Sequence, residues 1–173
     1  MFFPEKLKKA VQYVAFKCDP RNLGNVRINK ILWKSDVFMH MTRGESITGC
    51  RYLKHPNGPV IEKYYDLIYD MESEGTLILD HAYMGNYKIQ LIDTEEFNND
   101  GLLSPEEMEI LDRFIVYCTS KTAQELSEES HDGFYLLTPD RGEIPMGPVQ
   151  TDPSEDAFLW AEQVMKEYDQ VHT

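Results

Sequence analysis

The sequence lacks the features that would place the chain in a membrane or in an oxidising compartment. No apolar run approaches the roughly 20 residues that a membrane-spanning helix needs. The three cysteines, Cys18, Cys50 and Cys118, are widely spaced, and neither a Cys-x-x-Cys pair nor a nearby histidine pair accompanies them. This pattern predicts reduced thiols instead of disulfides or a zinc site. Because residues 1–16 also lack the order of a secretory signal, we expect a soluble, cytoplasmic protein.

Basic charge is scarce as well. The chain has 17 basic and 30 acidic residues, which gives a formal net charge of −13. A field of this sign repels phosphate backbones and anionic membrane surfaces. The composition therefore disfavours nucleic acid and membranes as partners, and it favours a basic protein or a cation.

Apolar residues recur at helical spacing along much of the chain. The 42% hydrophobic and 12% aromatic residues are enough for one buried core in 173 residues. Residues 26–41 are apolar on two flanks, so we expect this helix to be the central and most buried one. The other predicted helices cover residues 4–16, a stretch that starts near Pro59 and stops at Gly75, residues 104–118, a short helix from Thr122, and residues 154–171.

Three segments alternate in the manner of strands and predict a small sheet. They are residues 50–54, 76–83 and 87–92, of which the last two are joined around Gly85. We therefore predict an α+β fold, a mainly α-helical single domain over residues 4–150 with a three-stranded antiparallel sheet. An amphipathic helix in residues 151–173 is predicted to pack on this domain.

The stretch from Glu96 to Glu107 has the spacing of a calcium-binding EF-hand loop. With Gly101 at the sixth position the ligand pattern fails only at the first, where Glu replaces Asp. The preceding segment alternates like a strand, however, and the sequence shows neither an incoming helix nor a second loop. Ser104 and Glu107 have the spacing of a capping box that opens a helix at Pro105. We therefore predict a helix cap, with calcium binding as the alternative.

Catalytic motifs are weak. Asp36 and His40 stand four residues apart on the second predicted helix, which suits a base with its orienting group, two metal ligands, or a plain polar pair. Ser127, Ser130 and His131 lie on one short predicted helix, but the GxSxG elbow is absent, and so are the nucleotide-binding motifs. A metal-dependent hydrolase that uses Asp36, His40 and His131 stays an alternative.

Aromatic residues and element order raise two further alternatives. Trp33, Tyr52, Tyr64, Tyr65 and Tyr69 either form an exposed patch for a protein partner or pack in the core. The order of helices and strands also resembles a winged-helix arrangement, in which a recognition helix enters DNA. The corresponding helix here is strongly acidic and would be repelled by phosphates. A DNA-binding regulator therefore stays an alternative only.

An ordered set of short motifs runs from the second predicted helix towards the C-terminus. The motifs are Lys30 to Trp33 followed by Asp36 and His40, Gly44 to Gly49, Tyr52, Gly58 to Val60, Leu103 to Asp112, Thr122 to His131, and Gly142 to Pro145. Together these segments resemble the Panacea domain, a family that includes SocA-like antitoxins of toxin–antitoxin systems and many phage-associated proteins. The resemblance covers roughly residues 6–146, and its specificity comes from the ordered set.

The resemblance implies an antitoxin that neutralises a partner toxin by direct binding, in some relatives as an adaptor that delivers the toxin to a protease. It implies no enzymatic activity, no cofactor and no metal. An acidic protein of this kind would attract a basic toxin. Whether the chain forms a homodimer stays open. The residues that we select as partner-binding are Tyr52, Lys54, Asn57, Gly58 and His131.

Overall fold

The computed structural model describes residues 1–131 and 133–146, which form a mainly helical α+β fold, as predicted. Helices α1 to α6 span Pro4–Lys17, Asn25–Arg43, Tyr64–Ser73, Pro105–Thr119, Ala123–Glu129 and Gly133–Leu137. Strands β1 to β4 span Tyr52–His55, Gly58–Ile61, Ile78–Met84 and Tyr87–Asp93, and a short 3₁₀ helix covers Pro20–Asn22. The helix predicted for residues 154–171 lies outside the described residues. Within these residues, every helix is too short or too polar to cross a membrane.

Helix α2 runs through the centre of the domain. Its residues Ile28, Ile31 and Leu32 are completely buried, and the helix packs against α1, α4, α5 and β2. It ends at Gly44, whose left-handed backbone (φ 79°) lets its N–H donate to the His40 carbonyl oxygen. The prediction of a central buried helix is confirmed. The same helix also buries polar side chains, which are Asn29, Lys30, Lys34, Ser35 and Asp36.

Helices α1, α4 and α5 begin close to their predicted starts. Helix α1 has Pro4 in its first turn and buries the predicted apolar stripe of Leu7, Ala10, Val11, Val14 and Ala15. Helices α4 and α5 each open with a capping box, in which the N-cap hydroxyl and a glutamate three residues later accept from each other's backbone N–H. The residues of the two boxes are Ser104 with Glu107 and Thr122 with Glu125. Local capping chemistry therefore sets both starts.

The predicted three-stranded sheet is wrong, because the strands form two separate antiparallel hairpins. Strands β1 and β2 pair from Tyr52 with Ile61 to His55 with Gly58, and β3 pairs with β4 in a second hairpin. Irregular segments occupy the remaining edges. Residues 142–144 form backbone hydrogen bonds with the outer edge of β1. On β4, the Ile92 N–H donates to the Leu23 carbonyl oxygen. Irregular segments therefore pair with these strand edges, and the two hairpins do not join into one sheet.

Strand β2 replaces the predicted start of the third helix. Pro59 lies in β2 opposite Lys54, and the helix begins at Tyr64 after Lys63 adopts a left-handed backbone (φ 58°). Proline has no N–H to donate, so it fits a strand at a sheet edge. The Ile61 N–H of β2 donates to Asn29 Oδ1 on α2 at 2.9 Å, which fastens the hairpin to the central helix.

The three cysteines are free thiols buried in the domain. Burial raises the pKa of Cys18 to about 11 and the pKa of Cys50 and Cys118 to about 12. At neutral pH these thiols are therefore protonated and poor nucleophiles. Their state agrees with the prediction of reduced, structural cysteines.

Candidate functional site

The turn between β1 and β2 is held against helices α2 and α5 by a buried lysine. Lys30 Nζ on α2 donates hydrogen bonds to the Asn57 carbonyl oxygen at 2.5 Å and to Ser130 Oγ at 2.7 Å. Ser127 Oγ on α5 donates to the same Asn57 carbonyl at 3.1 Å. Because Lys30 is only 1% exposed, its ammonium group joins three distant segments inside the protein.

Gly58 allows the close approach between this turn and the lysine. Its backbone has φ 110°, a conformation that L side chains rarely adopt. A Cβ at this position would overlap both Lys30 Nζ and Ser130 Oγ. Gly58 therefore shapes the turn and has no side chain to offer a partner.

Lys54 and His131 converge on the ring of Tyr135, which lies on α6. The His131 and Tyr135 rings stack with centroids 4.3 Å apart and an interplanar angle of 9°. Lys54 Nζ lies 4.6 Å from the Tyr135 ring centroid and donates to the Thr138 carbonyl oxygen at 3.0 Å. The Tyr135 hydroxyl donates to the His55 carbonyl oxygen at 2.6 Å. A cation and two stacked rings thus adjoin the β1–β2 turn.

Four of the five predicted partner-binding residues therefore come together around this turn. Asn57 is exposed, Lys54 and His131 are partly exposed, and Gly58 is buried. The Nε2 atom of His131 is buried and has no hydrogen-bond partner within residues 1–131 and 133–146. We name the surface formed by Lys54, Asn57, His131 and Tyr135 the turn site.

Tyr52, the fifth predicted residue, lies in the core and is 1% exposed. Its hydroxyl donates to Asp36 Oδ2 at 2.8 Å, and its ring meets Trp33 edge to face at 4.9 Å. Thr48 donates to the same carboxylate from its N–H at 3.0 Å and from its hydroxyl at 2.5 Å. Burial raises the pKa of Asp36 although the hydrogen bonds from Thr48 and Tyr52 oppose the rise. Tyr52 thus holds a buried carboxylate beneath the hairpin.

The described geometry does not assemble the residues of the hydrolase alternative. The Asp36 carboxylate faces Thr48 and Tyr52, and in the described part of the chain no hydrogen bond joins it to His40. His131 stacks on a tyrosine ring, whereas the neighbouring serine bonds to Lys30. No group of three His, Cys, Asp or Glu side chains among the described residues is arranged to hold a metal ion.

The EF-hand-like loop is tied to helix α1 by lysines. Lys9 Nζ lies 2.9 Å from Asp100 Oδ2, and Lys6 Nζ lies 2.5 Å from Glu107 Oε1. Glu107 also completes the capping box with Ser104, accepting from its N–H at 2.8 Å. Two carboxylates that the calcium alternative would use as ligands are therefore paired with lysines, and the predicted cap is confirmed.

A cleft of about 150 Å³ opens beside the β1–β2 turn, between helices α2 and α3. Its lining includes Asn25 and Lys30 from α2, His55 and Val60 from the hairpin, and Tyr65 from α3. Burial lowers the pKa of His55, and the charge of a nearby arginine adds to this effect. The cleft is absent from the sequence-based prediction because that prediction does not contain β2.

Lys30 and Tyr135 contribute to the site but are absent from the predicted partner-binding set, although Lys30 begins the first family-like motif. A lysine in a helix with two apolar flanks is expected at the surface, and residues 133–137 lie outside every helix predicted from the sequence, whereas they form α6. One local signal does point to the hairpin. Asn57 and Gly58 follow an alternating segment, and an Asn-Gly pair in that position is typical of a β-hairpin.

Comparison with known proteins gives one family. The model of the family described as antitoxin SocA-like, Panacea domain, matches residues 28–133, which is more than half of the chain. The matched range contains Lys30, the β1–β2 hairpin and His131. No curated protein and no solved structure matches the chain.

Proposed function

The chain belongs to the SocA-like antitoxin family with a Panacea domain, and from this membership we propose that it neutralises a protein toxin by binding it directly. The family match is the observation that carries the proposal. The net charge of −13 supports a basic toxin, because opposite charges accelerate association. The protein acts by occupying the toxin and performs no reaction of its own.

The turn site is the contact surface in this proposal. Asn57 is exposed at the tip of the hairpin, while its carbonyl oxygen is fixed by Lys30 and Ser127. Lys54 provides a partly exposed cation beside the same turn. His131 provides a partly exposed aromatic ring next to it. A surface held rigidly before binding loses less conformational entropy when the partner docks. Gly58 and Tyr52 are buried and do not touch the toxin in this proposal, but they shape the hairpin that carries the contact residues.

Delivery of the bound toxin to a protease is the second part of the proposal. An adaptor keeps one surface for its cargo and leaves another for the protease, so a toxin held at the turn site leaves the β3–β4 hairpin accessible. If the chain works in this way, the toxin should disappear faster in cells that contain the chain than in cells that lack it. The half-life of a tagged toxin after translation is stopped measures this difference.

The decisive experiment is co-expression with the protein encoded by the adjacent reading frame. We expect that protein to arrest growth alone, and we expect this chain to restore growth and co-purify with it. A triple variant, Lys54→Ala with Asn57→Ala and His131→Ala, should weaken binding by at least about tenfold, as loss of a binding hot spot does.

A matched control variant replaces the same three residue types, histidine, asparagine and lysine, on the β3–β4 hairpin. The exposed residues His81, Asn86 and Lys88 are replaced by alanine, and binding should be unchanged. Circular dichroism and thermal melting establish that both triple variants are folded. If the neighbouring protein is not toxic and nothing co-purifies, the antitoxin proposal fails. If both triple variants bind like the unmodified chain, the antitoxin role stands and the turn site is not its surface.

A further inference from the structure

Helix α3 exposes a pair of stacked tyrosines. Tyr65 and Tyr69 lie one helical turn apart, and their ring centroids are 6.3 Å apart at an interplanar angle of 27°. Their side chains remain about half exposed, at 52% and 48%. The neighbouring Tyr64 is 2% exposed and packs in the core. Two large rings held together at the surface leave an apolar area without a covering segment among the described residues.

Carboxylates flank this pair along the same helix. Asp66 and Asp70 are exposed and form the row next to the tyrosines, and the sequence of α3 contains no lysine, arginine or histidine. Neither carboxylate takes part in a salt bridge within the described part of the chain. By contrast, Glu74 just beyond the helix pairs with Lys8 at 2.6 Å. We name Tyr65, Asp66, Tyr69 and Asp70 the α3 face.

The α3 face continues into a concave surface. Tyr65 also lines the cleft of about 150 Å³, together with Pro59 and Val60 of β2 and Val26 of α2. A segment lying on the tyrosines can therefore place one side chain in the cleft. Because Asn57 lines the cleft as well, the α3 face and the turn site meet at the β1–β2 hairpin.

We propose that the α3 face binds an arginine-bearing basic segment of the partner toxin, an inference that rests on the proposed function. A guanidinium group is planar and weakly hydrated, so it stacks on tyrosine rings and at the same time bonds to carboxylates. Arginine therefore matches both halves of the face, the stacked rings and the adjacent aspartates. Lysine matches only the charge, because its ammonium group is a compact, strongly hydrated point charge.

Other occupants fit the face less well. A second copy of this chain in a two-fold contact would bring Asp66 and Asp70 against the same carboxylates, and like charges in contact are destabilising. The phosphates of a nucleic acid would be repelled by these aspartates in the same way. The negative charge of the α3 face therefore favours a basic protein segment over a second copy of the chain or a nucleic acid.

The first experiment tests the face without the toxin. The ¹⁵N-labelled protein is titrated with an acetylated and amidated tetra-arginine peptide, and backbone amide shifts are followed by NMR. We expect the shifts to concentrate in residues 62–74, and we expect tetra-lysine to bind at least about threefold more weakly since it cannot stack in the same way. Shifts scattered evenly over the acidic surface, or equal binding of both peptides, would overturn the inference.

The second experiment uses the toxin and a matched pair of variants. Tyr65→Ala with Tyr69→Ala should weaken toxin binding by at least about tenfold. The control, Tyr83→Ala with Tyr87→Ala, removes two tyrosines that are 73% and 79% exposed on the β3–β4 hairpin and should bind normally. Asp66→Asn with Asp70→Asn should give an intermediate loss that disappears at high salt.

The outcomes separate the two proposals. If the unmodified chain neutralises the toxin and the α3 variants bind like it, the antitoxin role stands and the α3 face is wrong. If the unmodified chain binds no toxin, the proposed function fails. The peptide titration then decides whether the face recognises arginine at all.

Discussion

Charged side chains of α2 are buried in the core, and each is held by groups from distant parts of the chain. Asp36 accepts hydrogen bonds from Thr48 and Tyr52, and Lys34 lies 3.3 Å from Glu129. An unpaired buried charge costs several kcal/mol, roughly, so these partners are needed for the helix to pack at all. Because the partners come from β1, its preceding loop and α5, the polar contacts fix how these segments sit against α2.

Removal of the Tyr52 hydroxyl tests this role. Tyr52→Phe keeps the buried ring and deletes the hydrogen bond to the Asp36 carboxylate, so the free energy of unfolding should fall by about 1.5–3 kcal/mol. Tyr64→Phe is the matched control, because Tyr64 is equally buried and its hydroxyl donates to the neutral Asn25 amide oxygen at 2.8 Å. Its loss should be about 0.5–1.5 kcal/mol. Urea denaturation at a pH above the folded pKa of Asp36 measures both values.

The pH dependence of the two stability penalties, the losses of unfolding free energy in Tyr52→Phe and Tyr64→Phe, provides a check. Burial raises the pKa of Asp36 in the folded state, so the contribution of this group to stability is present at low pH and is lost as pH rises through the folded pKa. The bond from Tyr52 is stronger to the ionised carboxylate, and the Tyr52→Phe penalty should therefore shrink when the pH falls below that pKa. The Tyr64→Phe penalty should stay level. Two penalties of equal size at every pH would contradict this account of Asp36.

Elements in this fold are set either by local chemistry or by tertiary contacts, and the two kinds differ in how well the sequence predicts them. The capping boxes of α4 and α5 depend on residues three positions apart, and both starts are predicted correctly. Strand β2 depends on pairing with β1 and on the bond from Asn29 on α2, so the Pro59 in it is mistaken for a helix start. The Asn-Gly pair before Pro59 is the short-range signal for this hairpin, whereas the contact with Asn29, 32 residues away in the sequence, has no local pattern.

The same distinction explains what the sequence reveals of the candidate site. Gly58 and His131 lie in motifs that the family resemblance marks, and Lys54 and Asn57 lie between two of these motifs. The structure brings all four together. Tyr135 completes the cluster from α6, outside those motifs. Only the fold defines its position, because its ring stacks on His131 and lies beneath Lys54 of β1.

Substitution of Glu107 tests the start of α4. Glu107→Ala deletes one half of the capping box and the partner of Lys6, so the free energy of unfolding should fall by about 0.5–2 kcal/mol. Glu125→Ala removes the same half of the box from α5, where the glutamate is exposed, and should cost less. Calcium should leave the melting temperature of the unmodified chain unchanged. A large calcium-dependent rise would show that residues 96–107 bind the ion after all.

At the scale of the whole molecule, the acidic charge decides which partners can approach. The net charge of −13 creates a field that acts before any side chain makes contact. The exposed side of α3 has the same sign, and α3 is the helix that a winged-helix regulator would place in DNA. The charge of the molecule and the charge of this helix therefore favour a basic protein over DNA.

The rate of toxin binding should report this field directly. In stopped-flow measurements the association rate constant should fall by about tenfold or more from low to physiological ionic strength, because the Debye length shrinks from about 30 Å at 0.01 M to about 8 Å at 0.15 M. The dissociation rate constant should change much less, since it depends on short-range contacts. DNA from the chain's own operon serves as the control and should not be shifted in a gel at low salt. An association rate that is independent of salt, or a DNA shift that weakens steeply with salt, would mean that the charge serves another partner.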